Sequence, residues 1–159
     1  MCISSPNCRI RVKRKCFVPT FAALNQRMSQ QKFILLADDD QEDLELLSEV
    51  ILEIEKDIRL HTVANGSMVL DFLKKASDDQ LPSLIVLDYN MPNMNGAEVL
   101  ERLCKEERYQ KIPKIIWSTS NNSSYIKECM EKGATTYFVK PATHKNLQEQ
   151  AVQMLKMCV

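Results

Sequence analysis

Leu84-Ile85-Val86-Leu87-Asp88-Tyr89-Asn90-Met91-Pro92 is a short apolar run that stops abruptly at a carboxylate. A buried strand gains nothing by ending on an unpaired charge, because removing a charge from water is costly unless it is compensated. In open α/β sheets, however, the carboxyl ends of parallel strands are where sites are built. Three more segments send polar chemistry toward the same kind of edge. Lys32 to Ala37 runs into Asp38-Asp39-Asp40, the strand opened by Pro113 ends at Ser118, and Thr136 to Val139 runs into Lys140-Pro141.

Between these strands the apolar spacing becomes helical. Leu44, Leu47, Ile51 and Ile54 form one stripe, with Asp39 or Asp40 available as the N-cap. Ile58 to Val63 reads as the second strand, and Asn65-Gly66 turns into a helix carrying Val69, Leu70, Leu73 and Ala76. After the Pro92–Gly96 loop, Asn95 caps a helix with Val99, Leu100 and Leu103 inside. Asn121-Asn122-Ser123-Ser124 leads a helix that stops at Gly133, and Thr143 caps a last one with Leu147, Ala151, Met154, Leu155 and Cys158 inward. The strands are short and apolar with little two-residue alternation, as befits a parallel sheet covered on both faces. Five βα units of this size predict a flavodoxin-like doubly wound α/β fold. Its five-stranded parallel sheet has the order 2-1-3-4-5, helices on both faces and right-handed crossovers. Its crevice lies between strands 1 and 3, where Asp38, Asp39 and Asp88 would meet.

The chain has 159 residues, enough for one domain with a short extension. Formal charge is zero but uneven: residues 1–37 hold seven Lys or Arg and no acid, leaving fourteen basic and twenty-one acidic residues in 38–159. A body with net charge −7 argues against nucleic-acid binding. Residues 1–31, with Arg9, Arg11, Lys13, Arg14 and Lys15, read as a basic, disordered leader to a domain over 32–159. Six cysteines without C-x-x-C or zinc-ligand spacing read as reduced thiols in a cytoplasmic protein, and no apolar run approaches membrane-spanning length. With no segment after residue 159, a fused output domain is not expected.

Carboxylates become nucleophiles toward phosphorus when charge and geometry are arranged for them. Asp38, Asp39 and Asp88 would repel an incoming phosphoryl group, and a divalent cation relieves that repulsion. Mg²⁺ takes oxygen ligands, uses one or two carboxylates and keeps several waters. Asp39 and Asp88 are the better direct ligands, Asp38 acts mostly through water, and the backbone carbonyl of Asn90 offers a neutral oxygen. Lys140 supplies a point charge and Ser118 a hydroxyl for phosphoryl oxygens. Asp40 reads as a cap, Trp117 as core, and Met91 and Met94 as packing for the loop.

Residues 32–157 resemble the receiver domain of two-component response regulators. The resemblance rests on Leu35-Leu36-Ala37-Asp38-Asp39-Asp40, Leu87-Asp88-x-x-Met91-Pro92-x-Met94-x-Gly96, Ser118 and Lys140-Pro141 in this order. Details such as Tyr137-Phe138-Val139-Lys140-Pro141 are similar to single-domain regulators associated with phytochrome-type sensors. The resemblance implies that Asp88 accepts a phosphoryl group from a histidine kinase or histidine-phosphotransfer protein, and that Asp38 and Asp39 hold Mg²⁺. It implies that Ser118 and Tyr137 act as the switch pair. They would remodel the face of the fourth helix, fifth strand and last helix toward an output protein or a homodimer partner. It also implies a cis Lys140–Pro141 bond. The chain would be no enzyme beyond its own phosphorylation and dephosphorylation. The alternative is a pseudo-receiver, the same fold as a constitutive protein-binding module. A flavodoxin-type redox protein is disfavoured, since the loop Asp38-Asp39-Asp40-Gln41-Glu42-Asp43 repels phosphate.

Overall fold

The computed structural model describes residues 32–159. The leader expected over 1–31 lies outside the described residues.

Strand β1 (Phe33–Ala37) shows why the sequence lacks two-residue alternation. All five residues are buried, but toward different layers. Leu35 and Ala37 join one core with Val69, Leu73, Val99, Leu100 and Leu103. Ile34 and Leu36 join the other with Leu44, Leu47, Ile51, Leu147, Ala151 and Met154. A strand covered on both faces reads as a continuous apolar run. β3 (Leu84–Leu87) and β4 (Lys114–Ser118) repeat this pattern. Each large aliphatic chain withdrawn from water in this way contributes about 1.5–3 kcal/mol.

The remaining strands are β2 (Arg59–Val63) and β5 (Thr136–Val139), and the sheet runs β2-β1-β3-β4-β5 with all pairs parallel. This is the expected doubly wound order. Helices α1 (Gln41–Ile54) and α5 (His144–Met157) cover one face. α2 (Gly66–Lys75), α3 (Gly96–Lys105) and α4 (Ser123–Glu131) lie on the other. A single helical turn, Glu107–Gln110, bridges α3 to β4. The two edge strands depart from the expectation of double cover: β2 is mostly exposed, and β5 is only half-buried.

Local chemistry sets the helix starts. Asp40 accepts from the Glu42 N–H, Asn65 from Met68, Asn122 from Ser124 and Thr143 from Asn146. Asn95 and Glu98 form a reciprocal capping box at α3. α4 ends at Gly133, whose φ of +95° is left-handed and suits glycine.

Three expectations are corrected. Ile54 is 41% exposed, and Val50 completes the buried stripe of α1 in its place, because Ile54 is the final residue of the helix and lies past the stripe's end at Ile51. Leu155 packs only partly against the core. The Lys140–Pro141 bond is trans. An X-Pro sequence makes the cis form cheap without requiring it.

Candidate functional site

Strand register brings the acids together. Ala37 pairs with Leu87, so β1 and β3 end side by side and Asp38 and Asp88 leave the sheet at one level. The backbone completes the join, with Asp88 N–H donating to the Ala37 carbonyl at 2.7 Å and Asp38 N–H to the Val63 carbonyl at 3.1 Å. On the other side Ser118 pairs with Val139, and the Lys140 N–H donates to the Ser118 carbonyl at 2.8 Å.

Asp38 is 2% exposed and Asp88 5%, whereas Asp39 is open to solvent. One carboxylate oxygen from each of the three lies within 4.8 Å of the others. Lys140 Nζ reaches Asp38 Oδ2 at 2.6 Å, Asp43 Oδ2 at 2.7 Å and Asp88 Oδ1 at 3.4 Å. It also sits 4.9 Å from the centre of the Trp117 ring. The remaining oxygens of the buried acids are held by their own loops. Asp40 N–H donates to Asp38 Oδ1 at 3.0 Å, and Asn90 N–H to Asp88 Oδ2 at 2.6 Å.

Burial dominates the acids' electrostatics. It pushes the Asp38 carboxyl up to about 6 against the opposing pull of Lys140 and the Asp40 N–H. It raises Asp88 as well, again against Lys140 and the Asn90 N–H. Burial also works against the Lys140 charge, but the hydrogen bonds to Asp38 and Asp43 outweigh it and hold the ammonium above its usual value. The site is thus short of positive charge, and its donor set of clustered carboxylate oxygens suits a hard divalent cation.

Ser118 is fully buried, and its oxygen accepts from the Ser120 N–H at 3.4 Å. The Tyr137 hydroxyl donates to the Ser120 carbonyl at 2.7 Å, with its ring packed against the core. Ser120 therefore touches both residues expected to switch. Trp117 is core, as expected, but its Nε1 also donates to Gln150 Oε1 of α5 at 3.0 Å. Met91 and Met94 are buried under the loop.

Two partners escaped the sequence reading. Asp43 was visible only as part of an acidic run; the signal was its place three residues after the cap, on the first turn facing the strand ends. Tyr89 follows Asp88 and turns to α4, donating to Glu128 Oε2 at 2.9 Å and stacking on Tyr125 at 4.5 Å between ring centres. No local pattern announces that pairing, because its halves lie 39 residues apart.

An open parallel sheet with crowded carboxylates and a lysine at its carboxyl edge defines a doubly wound α/β protein with a charged site at that edge. Comparison with known proteins makes this specific: the model of the response regulator receiver domain matches residues 34–152. The chain belongs to the response regulator receiver domain family. Among similar proteins, two-component response regulator ARR8 of Arabidopsis thaliana is 30% identical over 143 residues, covering 80% of this chain and 63% of that protein. Two-component response regulator ORR5 of Oryza sativa subsp. japonica is 28% identical over 123 residues, covering 77% and 88%. The chain thus spans less than two thirds of ARR8, while it spans most of ORR5.

Among solved structures, the phosphorylated cyanobacterial phytochrome response regulator RcpA superposes with a TM-score of 0.73 at 25% identity, covering 80% of this chain and 94% of that one. The Mn(2+)-bound form of response regulator Rcp1 gives 0.67 at 29% identity, covering 76% and 88%. Among the described residues, no helix is long and apolar enough to cross a membrane.

Proposed function

We propose that this receiver accepts a phosphoryl group on Asp88 in a Mg²⁺-dependent reaction and uses it to switch a protein-interaction surface. The observation that carries this is the buried Asp88 carboxylate, set within 4.8 Å of Asp38 and Asp39 oxygens and 3.4 Å from Lys140 Nζ. Asp38, Asp39, Asp88 and the Asn90 carbonyl would hold the cation. When bound, it supplies positive charge that lets an anionic acceptor meet an anionic donor.

In the transfer an Asp88 oxygen forms a bond to phosphorus. The phosphorus–nitrogen bond of a phosphohistidine donor breaks as that bond forms, and its electron pair stays with the imidazole. The donor is a histidine kinase or histidine-phosphotransfer protein. The Asn90 N–H at 2.6 Å fixes the carboxylate's orientation. Lys140 offers its charge, and Ser118 its hydroxyl, to the transferred oxygens. A hydroxyl that turns to the phosphoryl group must leave the Ser120 N–H, and Ser120 in turn holds Tyr137. Displacing Ser118 therefore disturbs β5, whose Val139 is exposed, as are Tyr125 and Met130 of α4 and Val152 of α5. Exposed apolar residues on α4, β5 and α5 are what a contact with an output protein or a second copy of the chain would use.

The test is the intact mass of the protein after incubation with acetyl phosphate, with and without Mg²⁺, beside Asp88→Asn. A Mg²⁺-dependent gain of one phosphoryl group, absent from the variant, is expected. No gain from folded protein with acetyl phosphate or a panel of histidine kinases would leave a constitutive binding module instead. A normally labelled variant would place the acceptor elsewhere.

A further inference from the structure

An ammonium has three protons to donate, and that of Lys140 faces three carboxylates unequally. The contacts to Asp38 at 2.6 Å and Asp43 at 2.7 Å have hydrogen-bond length, whereas Asp88 stands at 3.4 Å. Asp43 belongs to none of the roles assigned so far. It lies on the first turn of α1, outside the trio of clustered carboxylates, and its side chain is 30% exposed. Helix α1 is anchored by the Asp40 cap and by Leu44 and Leu47 in the core, so Asp43 is a fixed tether and Lys140 the movable partner.

We propose that Asp43 is a positioning residue that holds the Lys140 ammonium back from Asp88 in the resting site, so that an anion on Asp88 gains Lys140 only by drawing it off Asp43. This rests on the reading of Asp88 as the phosphoryl acceptor. A ligand that needs the released lysine binds with an affinity reduced by the fraction of molecules in which the lysine is still tethered. Removing the charge of Asp43 raises the released fraction and tightens binding, while Asp38 remains to keep Lys140 in the site.

The chain carries its own reporter. Trp117 is the single tryptophan, and Lys140 Nζ lies 4.9 Å from its ring, so displacement of the ammonium alters the emission of one chromophore. The experiment titrates beryllium fluoride, a phosphoryl mimic, with Mg²⁺ into the full chain, D43N and E42Q. Bound fluoride is followed by ¹⁹F resonance and Lys140 by Trp117 emission. E42Q removes a charge from the same exposed helical turn without touching Lys140, which separates tethering from general repulsion and from loss of helix-dipole stabilisation.

D43N is expected to bind about two- to fivefold more tightly than wild type, in line with loss of one partly exposed ion pair. Unliganded D43N is also expected to show part of the emission change that wild type shows on saturation. E42Q stays near wild type in both. D43N binding no tighter than wild type, or E42Q matching D43N, overturns the tether while leaving Asp88 as acceptor. Bound fluoride without an emission change in wild type does the same. No bound fluoride in wild type removes the acceptor reading and the tether with it.

Discussion

At the scale of single residues, Lys140 is the point on which the site's charge balance turns. It is the one cation found against Asp38, Asp43 and Asp88 among the described residues, and its side chain is 10% exposed. Lys140→Ala should therefore leave the carboxylates more dependent on a divalent ion. Mg²⁺ affinity, measured by calorimetry, is expected to be at least that of wild type, while the Trp117 emission change on treatment with acetyl phosphate is lost. Weaker Mg²⁺ binding in the variant would mean that Lys140 organises the acids instead of competing for them. Most of these residues were legible in the sequence, because acids and a lysine at strand ends have no structural reason to be there. Asp43 and Tyr89 were not, since each acts through a partner that only the folded chain brings near.

At the scale of elements, the turn and helix starts were read well because capping is chemistry between near neighbours. The α3 start bears directly on the site. Gly96 N–H donates to the Tyr89 carbonyl, and a Cβ on Gly96 would come within 2.5 Å of the Asp88 carbonyl oxygen. The Asn95–Glu98 box thus anchors the loop that follows Asp88. Asn95→Ala is expected to cost about 1 kcal/mol. The check is urea unfolding with a lower midpoint at an unchanged slope. What the helical pattern could not fix was where each helix leaves the core. Ile54 continues the spacing of α1, but it is the helix's last residue, past the buried stripe that ends at Ile51.

At the scale of the whole molecule, the sheet order was legible because five alternating βα segments leave few topologies that keep right-handed crossovers. The extent of cover was not, since it depends on how far the helices reach over β2 and β5. Burying Asp38 and Asp88 strips two carboxylates of water, with repulsion between the acids adding to that cost, and Lys140 offsets it only partly. A ligand that binds only the folded chain stabilises it by mass action. Millimolar Mg²⁺ should raise the melting temperature, a chelator should reverse the gain, and Asp39→Asn should largely abolish it. An equal gain in Asp39→Asn would assign the effect to ions elsewhere on the acidic surface.

The distance along the chain between Asp38 and Lys140 is 102 residues, and the two meet only when the first and last strands of the site share one sheet. β3 and β4 lie between them in the sheet, so both must be in place before the acids find their lysine. A chain still emerging from the ribosome, or one whose last unit has come undone, keeps Asp88 but not the Lys140 contact that surrounds it in the folded site. On the proposed reading of Asp88 as acceptor, quality control is built into the signal: the mark is written only on a finished molecule, and damaged copies fall silent without any separate surveillance.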